Sequence, residues 1–228
     1  MRPTVHLFDI DGTLITTGGV GRKAIEVAFE RRYSRRDACT FPFDGMTDKL
    51  IARLGLEAIG VEPTSAEIDA LLVEYVEVLK LEVAAADSKT YRVHAGMEEA
   101  ILAGREQGHA VGLGTGNLRA GARVKLERVD VYKYFPFGGF GCDAEERALV
   151  IRRGAERGAE QLGVPLEECR VVVIGDTPKD VAAAQAIGAE SIGVATGSYS
   201  VEALLGCGAT HAFADLAAPG ALAALVGS

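Results

Sequence analysis

Three short stretches of the chain hold residues whose types and spacing suit chemistry. The first is Asp9-Ile10-Asp11-Gly12-Thr13, where the apolar run Val5–Phe8 ends in two carboxylates separated by one residue. Crowded carboxylates repel each other unless a cation or a shared proton compensates. That asks for a hard divalent ion such as Mg²⁺. A strand followed by a plain acidic turn is the competing reading, since Asp and Gly are common turn residues. The second is Thr115-Gly116-Asn117. It offers a hydroxyl, a glycine that lets backbone come close, and a helix start whose free N–H groups favour an anion. Two other readings compete: Asn117 as no more than a helix cap, and a dinucleotide fingerprint, which fails because Asn117 stands where the third glycine belongs. The third is Gly175-Asp176-Thr177-Pro178-Lys179-Asp180. Thr177 as N-cap, Pro178 at the first helical position and Asp180 two residues later make a good helix start. Asp176, ending an apolar strand, has no such explanation.

The elements that must position these residues follow from the hydrophobic pattern. Val5–Phe8, His109–Thr115, Phe135–Gly139, Arg170–Gly175, Ser191–Ala195 and Thr210–Phe213 are expected as strands. Gly96–Glu106, Asn117–Arg128, Ala144–Leu162, Pro178–Ile187, Val201–Leu205 and Ala218–Val226 are expected as helices. Strands alternating with helices predict a parallel sheet covered on both faces, an α/β fold. Between the first strand and its companions lies a span of helices without a convincing strand. It includes a helix capped by Thr47 and a long one with Ile68, Leu71, Leu72, Tyr75, Val76, Leu79 and Val83 at helical spacing. It reads as an inserted helical module, entered through Gly18-Gly19-Val20-Gly21. That glycine run misses the spacing of a phosphate-binding loop and suits a hinge. The basic run Arg31–Arg36 reads as solvated surface. In a parallel sheet Asp9, Asp11, Thr115, Asp176 and Asp180 converge at one sheet edge. Four carboxylates gathered there without a metal would be costly; with Mg²⁺, an anionic ligand and a nucleophile, the collection is coherent.

Bulk properties narrow the function classes. The 228 residues fit one large domain or a core plus an insertion, and 48% of them are hydrophobic. A net charge of -8 argues against nucleic acid or an anionic membrane as partner. Cys39, Cys142, Cys169 and Cys207 are scattered, so reduced thiols are expected. No apolar run is long enough to span a bilayer, and acids interrupt the N-terminal apolar stretch, so a cytoplasmic protein is expected.

Taken together, the three stretches resemble the motifs of the haloacid dehalogenase superfamily, specifically its Mg²⁺-dependent phosphatases of the phosphoglycolate-phosphatase-like type. Asp9-Ile10-Asp11-Gly12-Thr13 resembles the first motif, Thr115-Gly116-Asn117 the second, and Gly175–Asp180 the fourth. The resemblance implies a Rossmann-like three-layer α/β/α core of residues 1–17 and 91–228, with residues 18–90 as an α-helical cap domain. It implies hydrolysis of a small phosphate ester such as phosphoglycolate, with Asp9 as nucleophile and Asp11 as acid and base. Mg²⁺ would sit on Asp9, the Asp11 carbonyl and Asp176, with Asp180 a ligand through water or a positioning residue. Thr115, Gly116 and Asn117 would hold the phosphoryl oxygens. The third motif is usually a Lys, often followed by Pro, and none stands between Phe137 and Arg170; Arg147 is the expected substitute, ahead of Arg152. An Arg supplies the charge but is not equivalent to Lys. Related readings are a phosphomutase of the beta-phosphoglucomutase type, a 2-haloacid dehalogenase, and a non-catalytic binding protein on the same fold. The partner implied is a small-molecule phosphate ester; a monomer and a homodimer are equally compatible.

Overall fold

A computed structural model describes residues 2–227. Its first strand, β1 (Thr4–Phe8), is buried along its whole length. Alternate side chains supply opposite faces: Val5 and Leu7 enter one apolar cluster, and Phe8 joins the other. A strand buried on both sides belongs inside a parallel sheet, and β1 is central. Around it lie β4 (Ala110–Gly114), β5 (Gly138–Gly139), β6 (Arg170–Gly175), β7 (Glu190–Val194) and β8 (His211–Phe213). The order is β5-β4-β1-β6-β7-β8, and every pair is parallel. The helices α6 (Arg147–Leu162) and α7 (Pro178–Ala186) cover the Val5–Leu7 face with Ile151, Ala155 and Ala184. The other face is covered by α4 (Met97–Glu106), α5 (Arg119–Glu127) and α9 (Ala221–Val226) through Met97, Ile101, Leu126 and Leu225. Short α8 (Val201–Gly206) packs beside β7 and β8. This is a three-layer α/β/α Rossmann-like fold, with β1 flanked on its two sides by strands from later in the chain.

The chain leaves the sheet through β2 (Ile15–Thr16) and returns through β3 (Arg92–Val93), which pair antiparallel. Between them come only α1 (Val20–Tyr33), α2 (Asp48–Ala58) and α3 (Ser65–Ala85). Phe29 of α1 packs so close to Gly55 of α2 that a Cβ there would lie 2.4 Å from the ring. Thr47 caps α2 by accepting the Leu50 N–H, while Thr64, one residue before Ser65, caps α3. Gly18 and Gly19 hold positive φ of 63° and 83°, as a sharp turn into α1 requires. The basic run Arg31–Arg36 is answered locally: Arg31 pairs with Glu74, Arg32 with Glu67, Arg35 with Asp37 and Arg36 with Glu30. All four cysteines are free, and no described helix is long and apolar enough to cross a membrane.

Several element boundaries differ from expectation, α9 among them, which begins at Ala221 rather than Ala218; three of the differences bear on the site. Helix α5 begins at Arg119, with Leu118 before it and no side-chain cap, because the Asn117 side chain is engaged elsewhere. Helix α6 begins at Arg147 rather than Ala144, since residues 145–146 form a bend that delivers Arg147 inward. Strand β5 keeps two residues of the Phe135–Gly139 run. Its glycines let α6 approach until a Cβ on Gly139 would meet the Val150 carbonyl at 1.9 Å.

Candidate active site

β1, β4 and β6 end side by side, and their carboxyl ends hold the three motifs. In open parallel sheets this crevice is where ligands bind. The Asp9 backbone N–H donates to Ile174 O at 2.9 Å, which ties the end of β1 to β6. Gly12 then turns the chain at φ 82°; a Cβ there would lie 2.4 Å from Asp176 Oδ2. Thr13 Oγ1 donates to Asp176 Oδ1 at 2.9 Å. Carboxylate oxygens of Asp9, Asp176 and Asp180 all lie within 4.8 Å of one another, and all three residues are buried. Asp180 Oδ2 accepts from the Thr177 hydroxyl at 2.7 Å and the Thr177 N–H at 3.1 Å, closing a capping box at the start of α7. Its Oδ1 accepts from Arg147 Nε at 2.8 Å. The Arg147 guanidinium also stands 2.9 Å from Asp9 Oδ1, so it bridges the first and third acidic stretches from the first residue of α6. Arg152 is exposed and pairs with Glu156.

Asp11 sits in a second set of partners. Its Oδ2 accepts from Lys125 Nζ at 2.6 Å and Asn117 Nδ2 at 2.8 Å, and its Oδ1 from the Thr17 hydroxyl at 3.3 Å. Lys125 also donates to Asn117 Oδ1 at 2.6 Å and is 3% exposed. Asn117 is therefore a clamp between Lys125, Asp11 and Thr115 Oγ1, rather than a helix cap. Thr115 is fully buried, with its hydroxyl turned to Asn117, whereas Gly116 and Asn117 line the cavity. Lys125 was not among the residues expected at the site. The signal for it is a lysine on the inner stripe of α5, with Gly121, Ala122 and Leu126. Asp48 also reaches the site, from the stretch 43–49 that leads into α2. Its N–H donates to Gly116 O at 2.8 Å and its Oδ2 accepts the Leu118 N–H at 2.7 Å, so the start of α2 docks on the second motif.

These residues enclose a cavity of about 300 Å³ between the sheet edge and α1–α3. Asp9, Asp11, Arg147 and Asp176 form its floor; Ile25, Phe43, Met46, Ile51 and Tyr75 supply walls from the helical segment. The electrostatics favour a cation at the floor. Burial, then Asp180 and Asp9, push the Asp176 carboxyl up to about 8. Burial raises Asp9 to about 6 against the pull of Arg147. Burial would raise Asp11 too, but the Lys125 charge and the bonds from Lys125, Asn117 and Thr17 outweigh it and hold Asp11 below the ordinary carboxylate range. A buried oxygen-only donor set in which Asp176 would stay protonated near neutrality is short of positive charge. It fits a hard divalent cation.

The family model for haloacid dehalogenase-like hydrolases matches residues 4–188, and the chain belongs to that family. It is accordingly a hydrolase. No curated protein matches the chain. Among solved structures, CbbY from Rhodobacter sphaeroides in complex with phosphate is similar at 20% identity, covering 99% of each chain with a TM-score of 0.72. A predicted phosphatase from Clostridium acetobutylicum is similar at 21% identity over 93% of this chain and 94% of its own, with a TM-score of 0.66. A hydrolase from Pseudomonas syringae is similar at 19% identity over the same shares, with a TM-score of 0.67.

Proposed function

We propose that the protein is a Mg²⁺-dependent phosphomonoesterase acting on a small organic phosphate through an aspartyl-phosphate on Asp9. The observation that carries this reading is the Asp9 carboxylate at the cavity floor, with Arg147 on one side and Asp176 on the other. Asp9 attacks phosphorus while the bond to the leaving oxygen breaks. Arg147 and the Gly116 backbone N–H face the phosphoryl oxygens, where charge builds up, while the Asn117 N–H donates to Thr115 Oγ1 at 3.2 Å and steadies the loop. Asp11 protonates the leaving oxygen, then takes the proton from the water that hydrolyses the aspartyl-phosphate. Lys125 and Asn117 position it for both tasks. Mg²⁺ on Asp9, the Asp11 carbonyl and Asp176 would offset the repulsion between one anion and another. Asp180, with both oxygens engaged by Arg147 and Thr177, acts as a positioning residue. Residues 18–90 serve as the cap over a core of residues 1–17 and 91–228, hinged at Thr17–Gly19 and near Tyr91. Hydrolytic dehalogenation would leave the carboxylate cluster around Asp176 without a task.

The test is phosphate release from an aryl phosphate by wild type and Asp9→Asn, with EDTA and with Mg²⁺ restored. Wild type should turn over only with the metal, and Asp9→Asn should be inactive but folded. Wild-type turnover in EDTA, or an active Asp9→Asn protein, contradicts the proposal.

A further inference from the structure

Among the described residues, the three basic side chains that line the cavity all have partners within the chain. Arg147 is held by Asp9 and Asp180. Lys125 is held by Asp11 and Asn117, with the Asp48 charge also facing it. Arg22 donates to the Cys39 and Phe41 carbonyls at 3.0 and 2.9 Å, and its guanidinium lies 3.8 Å over the Phe43 ring. Lys179 is exposed and does not line the cavity. The remaining polar lining includes the Asp48 carboxylate, the Tyr75 hydroxyl and Asp44, among apolar walls.

We infer, resting on the phosphatase reading above, that the substrate is a phosphate monoester of a neutral polyhydroxy compound, lacking any second anionic group. A hydroxyl can donate to Asp48 and exchange hydrogen bonds with Tyr75. A carboxylate or second phosphate in the same place would face Asp48 while Lys125, the cation beside it, is already bonded to Asp11 and Asn117, and like charges brought together in a partly dry cavity are strongly disfavoured. The small volume also suits a short carbon skeleton. This sets phosphoglycolate aside. It also disfavours a phosphomutase cycle, whose bisphosphorylated intermediate would put a second dianion beside Asp48.

Glycerol 1-phosphate and 3-phosphoglycerate make a matched pair, since they differ only by a hydroxymethyl group in place of a carboxylate. Their kcat/KM values are measured with Mg²⁺ alongside p-nitrophenyl phosphate, and both esters are also ranked as competitive inhibitors of aryl phosphate turnover. The expected result is at least about a tenfold preference for the glycerol ester in both readouts. Asp48→Asn, which keeps an acceptor for the Leu118 N–H, should narrow that preference several-fold. Equal use of the two esters, preference for 3-phosphoglycerate, or turnover of the aryl phosphate alone overturns this inference and leaves the phosphatase reading standing. No release from any of the three overturns both. Should Asp48→Asn fail to fold, the wild-type ratio still decides.

Discussion

The two carboxylates of the first motif have the same side chain and opposite surroundings. Asp9 is raised to about 6 by burial, with Arg147 holding it down and Asp180 adding to the rise. Asp11 is held below the ordinary range because Lys125 more than offsets burial. A low Asp11 suits a base and makes the acid form scarce near neutrality. The work of Asp11 as acid should therefore show its pH dependence with alkyl phosphates, whose leaving oxygen needs a proton, and not with aryl phosphates. Removing Lys125 lets burial push Asp11 upward. In Lys125→Met, the ascending limb of kcat against pH, measured with an aryl phosphate, should move up by about a unit or more. A limb that stays in place would remove Lys125 from the tuning of Asp11. Asp9, Asp11, Asp176 and Asp180 were legible in the sequence because each departs from an apolar strand or opens a helix. Arg147 was legible only through the resemblance, as the substitute for the third-motif Lys after Gly141-Cys142-Asp143. Lys125 was not, because its meaning depends on which helix face turns toward the sheet edge, and Asp48 was legible only as part of the stretch 43–49, since its contacts depend on where α2 docks.

Elements set how tightly those residues are held. The loop after β4 and the start of α2 touch without room for a side chain: a Cβ on Gly116 would lie 2.1 Å from Met46 O. Gly116→Ala should wedge α2 away and raise KM by about tenfold or more, since a displacement of about 1 Å at a site can cost far more than its energy of contact. Steady-state kinetics on the folded variant would show it, and an unchanged KM would mean that α2 does not need to seat on Gly116. The seat is reinforced by Arg53, which forks onto Glu145 at 2.8 and 2.7 Å, and by Lys49, which donates to Cys142 O. Helix cores and the β6 strand were readable from periodicity. Their ends were not: Asn117 looked like a cap by residue type, yet the stronger claims of Asp11 and Lys125 draw its side chain away and α5 starts two residues later. The Phe135–Gly139 run reads as a strand, but only Gly138 and Gly139 reach β4 in ladder register.

For the whole molecule, a parallel sheet places three distant stretches at one edge, and the charge gathered there couples metal binding to stability. Asp176 is raised from 3.8 to about 8, so the folded chain holds a proton that the unfolded chain releases above 3.8. The metal-free protein should therefore lose stability as pH rises between 3.8 and about 8. Asp176 alone contributes at most about 1.4 kcal/mol for each pH step of about one. Mg²⁺ should restore more of that stability at pH 8 than at pH 5, and Asp176→Asn should abolish the gain in thermal unfolding. A Mg²⁺-dependent rise in Tm that is equal at both pH values, or that survives Asp176→Asn, would dissociate the cluster from the metal. Fold class was open to reading at this scale because alternation of strand and helix is a property of the chain alone. The closeness of α2 to the second motif was not, since it depends on how the helical segment folds back over the sheet. The central claim is that Asp9 carries the phosphoryl group. Its most direct measurement is mass spectrometry of Asp11→Asn, rapidly quenched in acid after mixing with an aryl phosphate and Mg²⁺. Without its base the variant should accumulate one phosphoryl group, on the peptide containing Asp9 and lost on base treatment. Phosphate release with no modified Asp9 at any time would contradict it.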